Sequence, residues 1–349
     1  MQNYTDDPYY VPKTGYLPEW GNITYCDRER TEVYHYITKG SAAITLPIDF
    51  VGFYFILKKS PKEMGNYKWL LLGHQVCITL LDIHLTVLIV PEFLFPIWGT
   101  KMHGFFDWIG VPAWVSAGLA LAQLGSVLAS VSSLFYYRMQ VILPFFHPLK
   151  HSSKTQIIFG VINFIVNMAL PAHYSYFIPS DQLNSKRDWF KMRKCVAQPF
   201  FDPNTYVLEY APEKYYFYFL LYYMIAVCVF FVLMMSVPYY LLLFYAKQWS
   251  EATRRAQRMF LFALFVQVMV PFSLGIAPVL VYLHVRHWYF ERHILNNWML
   301  LIEALHGSSE TILMLIVTAP YRRAILRPKA PAMQIDPNSN SAAVNSSLR

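Results

Sequence analysis

The stretch Leu295–Arg323, LNNWMLLIEALHGSSETILMLIVTAPYRR, decides the fold of this chain. It exceeds the roughly 20 apolar residues that a helix needs to cross a bilayer. Yet Glu303, His306 and Glu310 interrupt it at spacings of three and four, which place them on one face of a helix. Because ionisable groups within a span are costly and normally face other helices or water, the stretch predicts a helix packed inside a bundle.

The composition is that of an integral membrane protein. Of the 349 residues, 56% are hydrophobic and 14% are charged, whereas a soluble domain carries about 25% charged residues. In a soluble chain the net charge of +8 would suggest a nucleic-acid partner. Here the charge is explained better by membrane topology, so the expected partner is the lipid bilayer and no nucleic acid.

Seven apolar segments predict an all-α membrane protein, a seven-transmembrane helix bundle. The predicted spans are 40–57, 69–91, 112–137, 155–179, 215–246, 259–285 and 295–323. The chain then divides into an extracellular N-terminal segment, 1–39, a seven-transmembrane domain, 40–323, and a disordered cytoplasmic tail, 324–349, whose composition has no apolar period.

Loop charges and glycosylation sequons orient the bundle. The N-terminal segment has no basic stretch followed by an apolar one, so no cleavable signal is expected. Two sequons, at Asn3 and Asn22, suit an extracellular N-terminus. The positive-inside rule supports the same orientation, although the loop between spans four and five is also basic. The basic residues assigned to the inner side include Lys58, Lys59, Lys62, Lys68, Arg138, Lys150, Lys154, Lys247, Arg254, Arg255, Arg258, Arg322 and Arg323.

The four cysteines divide by location. Cys77 and Cys228 fall within spans and are predicted to be free. Cys26 and Cys195 lie outside in this orientation, where the compartment is oxidising. We predict a disulfide between them, with two unpaired thiols as the alternative, since sequence does not supply the geometry.

The Glu303–His306–Glu310 face has three interpretations. It could be a buried polar network that joins helices, a ligand site with Glu303 and His306 as the contacts, or a path for protons or ions. Asp49 and Asp82 lie within spans one and two and could join the same polar network.

Histidine pairs raise the question of a metal. His147 and His151 are predicted to lie inside and His284, His287 and His293 outside, so the two groups cannot share one ion. No nucleophile–base pair has supporting context. We therefore expect no enzyme activity, no catalytic residue, no bound metal and no cofactor.

Basic residues at the inner side are candidate contacts for an intracellular partner. Arg138 ends span three beside an aromatic run and could simply snorkel to the interface. Arg254, Arg255 and Arg258 belong to a short amphipathic loop, which could bind a partner or anionic headgroups.

An ordered series of motifs resembles the nematode chemosensory receptors of serpentine receptor class H, in the seven-helix Str superfamily. It runs through most of the chain and is most specific near the end. The motifs are Pro47-Ile48-Asp49, Gly52-Phe53-Tyr54, Leu57 to Met64, Trp69-Leu70-Leu71, His74, Leu81-Asp82, Pro91 to Pro96, Ile178 to Gln182, Thr253, Gln257, Ala263-Leu264, Gln267 to Pro271, Asn296-Asn297, His306-Gly307, Thr311-Ile312 and Pro320-Tyr321-Arg322.

The resemblance implies a G protein-coupled receptor-like fold and a chemoreceptor in the plasma membrane of a sensory neuron, in its cilium. Its partners would be a small-molecule ligand and a heterotrimeric G protein. As a separate hypothesis, we expect the G-protein contacts to be Arg138, Arg254, Arg255 and Arg258. Two residues depart from the family pattern: Tyr136 stands where an acidic residue is usual, and Glu310 where serine is usual.

Two other functional classes compete with the receptor. A proton-coupled transporter could use Asp82, Glu303, His306 and Glu310 as a relay, although the sequence shows no internal repeat. An orphan seven-helix scaffold that senses nothing is the third class.

Overall fold

Long helices form the body of the protein and short strands gather at one end. The computed structural model describes residues 12–26, 32–94, 97, 99–192, 196–209, 213–245, 250–271, 273 and 293–326. The helices are α1 (Glu32–Lys59), α2 (Tyr67–Ile83), α3 (Phe105–Trp108), α4 (Ala113–Ile142), α5 (Ser153–Ala172), α6 (Gln182–Met192), α7 (Glu213–Tyr245), α8 (Glu251–Pro271), α9 (His293–Ala304), α10 (His306–Val317) and α11 (Ala319–Leu326). The strands are β1 (Pro12–Leu17), β2 (Gly21–Cys26), β3 (Pro91–Phe93), β4 (Gly99–Met102) and β5 (Thr205–Val207).

Among the described residues, five helical segments are long and apolar enough to cross a membrane. They are Tyr34–Lys59, Tyr67–Leu88, Ala113–Ile142, Ser153–Phe177 and Leu221–Phe244. They correspond to the first five predicted spans. The second half of the sixth predicted span, 259–285, lies mostly outside the described residues, and its first half belongs to α8.

The seventh predicted span is a helix in two parts with a turn beyond it. α9 and α10 meet at Leu305, whose backbone stays close to helical with φ −94° and ψ −6°. Thr318 is extended, with φ −74° and ψ 106°, and ends α10. The turn suits the sequence because Pro320 fits the first turn of the following helix, where its missing N–H is not needed.

The first helix begins earlier than the sequence predicts, at Glu32 rather than Gly40. The extension carries Thr38, which is buried although it is polar. Hydropathy alone does not include such residues in a span. Tertiary contacts explain why the helix begins early. The Tyr34 hydroxyl donates to the Pro91 carbonyl at 3.0 Å and fixes the extension against β3.

The segments 92–111 and 180–213, predicted as loops, fold together at one end of the bundle. β3, β4 and β5 form an antiparallel sheet in that order, and we call this sheet together with α6 the cap. Trp189 of α6 is 1% exposed and its indole N–H donates to the Leu208 carbonyl at 2.7 Å. Because strands of three or four residues have no readable period, the sequence does not show the cap.

The opposite end of the bundle is closed by an apolar cluster beneath α11. Tyr321 is fully buried there with Ile56, Tyr67 and Phe135. Its hydroxyl lies 2.7 Å from the Ser60 Oγ, so α11 is tied to the end of α1.

Small residues let α4 and α5 approach closely. Gly125 of α4 leaves so little room that an added β-carbon would lie 1.8 Å from the Asn167 carbonyl oxygen. Beside this contact, Asn163 of α5 donates to the Ala129 carbonyl at 2.8 Å and to the Ser132 Oγ at 2.9 Å. Small residues and interhelical hydrogen bonds of this kind drive helix association in lipid.

Gly125→Ala should therefore lower the thermal unfolding midpoint of the purified protein in detergent. The new β-carbon meets backbone atoms, which cannot rotate away, so the two helices must separate. Overpacking of this kind typically costs about 1–3 kcal/mol. Fluorescence-detected size-exclusion after a temperature series measures the midpoint.

Gly160→Ala is the matched control because nothing lies within 4 Å of a β-carbon at that position of α5. Alanine favours a helix over glycine by about 1 kcal/mol, so this variant should keep or raise the midpoint. Equal losses in both variants would contradict the close contact.

Candidate functional site

A histidine of α2 joins three helices in the middle of the bundle. His74 Nε2 lies 2.8 Å from Glu310 Oε1 of α10, and its Nδ1 lies 2.7 Å from the Ser130 Oγ of α4. All three side chains are buried. One imidazole therefore connects α2, α4 and α10 through polar contacts, and Glu310, predicted as a network residue, has a specific partner.

Asp49 of α1 contacts the next residue of α10. The Thr311 hydroxyl donates to Asp49 Oδ1 at 2.9 Å and accepts from the Gln75 amide at 2.9 Å. The Gln75 amide also lies 3.4 Å from Asp49 Oδ1. Asp49, Gln75 and Thr311 thus link α1, α2 and α10.

Asp82 packs directly against Gly307. A β-carbon at position 307 would lie 2.5 Å from Asp82 Oδ1 and 2.6 Å from Oδ2, so only glycine leaves room for this carboxylate. Both oxygens are buried without a well-aligned hydrogen bond among the described residues, and the backbone N–H of Ser308 is a nearby electrostatic partner.

Glu303 and His306, the predicted ligand contacts, lie on either side of Leu305, the residue between α9 and α10. His306 is 2% exposed and its Nδ1 is 2.6 Å from the Glu303 carbonyl oxygen. The Glu303 side chain is partly buried. Its neighbour Ala304 packs with Ile89 and Met102, which places this pair next to the cap.

Near the end of the bundle beneath α11, Arg138 is buried rather than snorkelling. It is 5% exposed, and its guanidinium carbon lies 3.7 Å from the ring centroid of Tyr67, a cation–π contact. Tyr136, which stands where the family usually has an acid, shares a 2.6 Å hydrogen bond with His151 and stacks on Phe159.

The other predicted G-protein contacts lie on the first turns of α8. Arg254 forms an ion pair with Glu251, one turn away on the same helix. Arg255 and Arg258 are exposed. Arg255 and Arg258 are therefore accessible to a partner, whereas Arg138 is buried in the protein interior.

Charged groups connect the cap to the bundle. Glu92 of β3 is 1% exposed and lies 2.8 Å from His103 Nε2 and 3.4 Å from His35 Nε2. Burial alone would raise the pKa of Glu92, but the hydrogen bonds and positive charges of the two histidines hold it well below its usual value. Within the described residues, these three side chains form the group that could hold a metal ion.

A buried lysine holds the cap together internally. The Lys186 ammonium of α6 donates to the Asp202 carbonyl at 2.7 Å. Burial lowers the pKa of Lys186 to about 8, against the opposing charges of Asp202 and Glu19. The Asp202 carboxylate in turn accepts from Lys101 of β4 at 2.5 Å.

The predicted modification sites are only partly described. Asn22 is exposed on β2, whereas Asn3 lies outside the described residues. Cys195 also lies outside them, so the Cys26–Cys195 disulfide stays a prediction. Cys77 and Cys228 are free, as predicted.

Sequence reasoning did not select four residues of the network as site residues: His74, Gln75, Ser130 and Thr311. Thr311 entered only as part of the Thr311-Ile312 motif of the family resemblance. His74 gave a signal, because a histidine within a span needs a partner. Gln75 and Ser130 gave none that distinguishes them from other small or polar residues in helices.

Comparison with known proteins agrees with this architecture. The chain matches the family model described as serpentine type 7TM GPCR chemoreceptor Srh over residues 29–329. No curated protein matched the chain. The family match covers most of the sequence and includes all the helices described above. The chain therefore belongs to the serpentine type seven-transmembrane chemoreceptors of class Srh, and it is a multi-pass membrane protein with the seven-helix fold.

Proposed function

We propose that the protein is a G protein-coupled chemosensory receptor that binds a small molecule from outside and signals through a heterotrimeric G protein. The observation that supports this best is the buried polar network through His74, Glu310, Thr311 and Asp49. It links α1, α2, α4 and α10 midway between the cap and Arg138. Membership of a chemoreceptor family supports the functional class.

The network has the spare acceptors that a switch requires. Asp49 Oδ2, Glu310 Oε2 and both oxygens of Asp82 are buried without a well-aligned hydrogen bond among the described residues. The helices that carry these acceptors, α1, α2 and α10, could therefore shift to an alternative pairing without adding new polar groups. A ligand changes the balance between two such arrangements only by binding one of them more tightly.

Ligand contact is proposed for Glu303 and His306 beneath the cap. Both lie within two residues of Leu305, which separates α9 from α10. A molecule that displaces His306 Nδ1 from the Glu303 carbonyl would reorient α9 relative to α10. Since His306 and Glu310 are one turn apart on α10, such a movement reaches the His74 pair directly.

The G-protein contact is proposed for Arg138 with Arg254, Arg255 and Arg258. Arg138 is buried over Tyr67, so it reaches a partner only after the inner ends of the helices rearrange. Arg255 and Arg258 are exposed already and would provide the first, electrostatic contact.

The proposed location is the plasma membrane of a sensory neuron, including its cilium, with the N-terminus outside. The exposed sequon at Asn22 supports this orientation. In this proposed orientation the cap would lie outside, where a ligand arrives, and Arg138 would lie inside.

A ligand screen with a calcium or cyclic-nucleotide readout tests the receptor directly. A response that requires a G protein supports it. Substrate flux into liposomes that hold only the purified protein would instead support the proton-coupled transporter. If a broad library of compounds produced neither a response nor flux, the orphan scaffold would be the remaining functional class.

Arg138→Ala should reduce the ligand-evoked response at least tenfold, because it removes the cation proposed to contact the G protein. Cell-surface labelling must accompany the assay, since the side chain also packs on Tyr67. Lys154→Ala is the matched control: it removes an exposed cation from the neighbouring helix α5 and should signal normally. Normal signalling by Arg138→Ala at normal surface levels would refute its role.

Glu310→Ser should lower the thermal unfolding midpoint by a few degrees. Serine is too short to reach His74, and a buried group left unsatisfied costs about 1–3 kcal/mol. Glu310→Gln keeps a side chain of the same length, so its thermal unfolding midpoint should fall less than that of Glu310→Ser.

A double-mutant cycle isolates the His74–Glu310 contact. Paired with His74→Ala, the effect of Glu310→Ser should be non-additive by about 0.5–3 kcal/mol. Strictly additive effects would mean that the two side chains do not stabilise one another.

Orientation can be tested by glycosylation. Asn22→Gln should reduce the mass shift on treatment with an N-glycosidase, because the proposed topology places Asn22 in the secretory lumen during synthesis. The sequon at Asn345 in the tail is the matched control, and Asn345→Gln should change nothing. A glycan on Asn345 would reverse the proposed topology.

A further inference from the structure

Two histidines and a glutamate converge where the first helix meets the cap. His35 comes from the first turns of α1, Glu92 from β3, and His103 directly follows β4. One ligand atom from each lies within 4.8 Å of the other two. The imidazole rings of His35 and His103 face each other with centroids 3.8 Å apart.

The spacing suits a small metal ion. Zn²⁺ binds imidazole nitrogen and carboxylate oxygen at about 2.0–2.2 Å, which in a tetrahedron separates neighbouring ligand atoms by about 3.3 Å. Glu92 Oε2 lies 3.4 Å from His35 Nε2 and 2.8 Å from His103 Nε2. An ion therefore enters after shifts of a few tenths of an ångström for these pairs.

The protein alone leaves this cluster incompletely satisfied. Glu92 Oε1 and His35 Nδ1 are buried and have no hydrogen-bond partner among the described residues. Glu92 is 1% exposed, so bulk water does not compensate its free oxygen. A buried acceptor without a partner is uncommon and calls for a ligand, an ion or a bound water.

The donor set selects the class of ion. Two imidazoles and one carboxylate suit Zn²⁺ and its neighbours, whereas Ca²⁺ and Mg²⁺ prefer oxygen ligands alone. A second carboxylate, Asp107 on α3, lies close enough to interact electrostatically with His103. It adds negative charge beside the cluster and favours a cation there.

We infer that His35, Glu92 and His103 bind a divalent transition-metal ion, with Zn²⁺ the best match. Three protein ligands leave a fourth position for a water molecule. On binding, the ion replaces the proton that each imidazole Nε2 shares with Glu92, and this proton leaves to solvent or moves to the other ring nitrogen.

The ion would join parts of the chain that are far apart in sequence. Its ligands come from α1, from β3 and from the residue that follows β4, so it would fasten the cap to the bundle. Zn²⁺ would thereby stabilise the folded protein whether or not the protein is a chemosensory receptor, which makes this site independent of the proposed function.

The test uses the full-length protein in detergent, without a polyhistidine tag and stripped of metal by a chelator. Added Zn²⁺ should raise the thermal unfolding midpoint in a concentration-dependent manner, because an ion that binds only the folded state stabilises it. Calorimetric titration should give one high-affinity ion per chain. Ca²⁺ or Mg²⁺ at the same concentrations should produce no such shift.

His35→Gln and His103→Gln are the test variants, because glutamine keeps an N–H donor for Glu92 but is a poor zinc ligand. Each should weaken Zn²⁺ binding at least tenfold while the metal-free midpoint stays near that of the unaltered protein. The control is His173→Gln, which removes an exposed histidine outside the cluster and should bind Zn²⁺ normally.

Co²⁺ gives a readout that does not depend on stability. Bound at a four-coordinate site, it should show visible d–d absorption, which both test variants should lose. Three outcomes would overturn the site: no stoichiometric Zn²⁺ binding, the same shift with Ca²⁺, or unchanged binding in both variants. The last outcome would point instead to His284, His287 and His293, whose side chains lie outside the described residues.

Discussion

The scarcity of water inside a bilayer governs the interior of this protein. A polar side chain within a span must find its partner on another helix, because lipid offers none. The contact between His74 and Glu310 at 2.8 Å shows the consequence. It fixes the rotation of α2 relative to α10, and Ser130 on the other ring nitrogen fixes α4 as well. One imidazole thus sets the relative orientation of three helices, and the apolar packing around it follows.

The same rule explains what sequence could predict. Glu310 and Asp49 stand out in apolar segments, so they were expected to face other helices, and both do. The rule does not identify partners, because hydropathy carries no information on helix rotation. His74 was therefore not selected as a site residue. For Arg138, snorkelling was the alternative to a G-protein contact, and the structure buries this side chain on Tyr67. The prediction of seven spans was confirmed by family membership.

The cap was beyond sequence reasoning for a different reason. Its strands are three or four residues long, and its stability comes from side chains such as Trp189 that meet across distant segments. The group formed by His35, Glu92 and His103 was missed likewise, because its members are separated in sequence and none belongs to a local motif. Short-range patterns predict helices in lipid well, and they predict little of a structure built from loops.

The close approach of α4 to α5 has a consequence for how the molecule can move. With Gly125 against the Asn167 carbonyl and Asn163 bonded to the backbone of α4, neither helix slides past the other without a steric clash and broken hydrogen bonds. The α4–α5 pair therefore forms a rigid part of the bundle. Rearrangement would then fall to α1, α2 and α10, whose contacts with one another are side-chain hydrogen bonds with spare acceptors. Rigid and movable helices thus belong to different parts of one bundle.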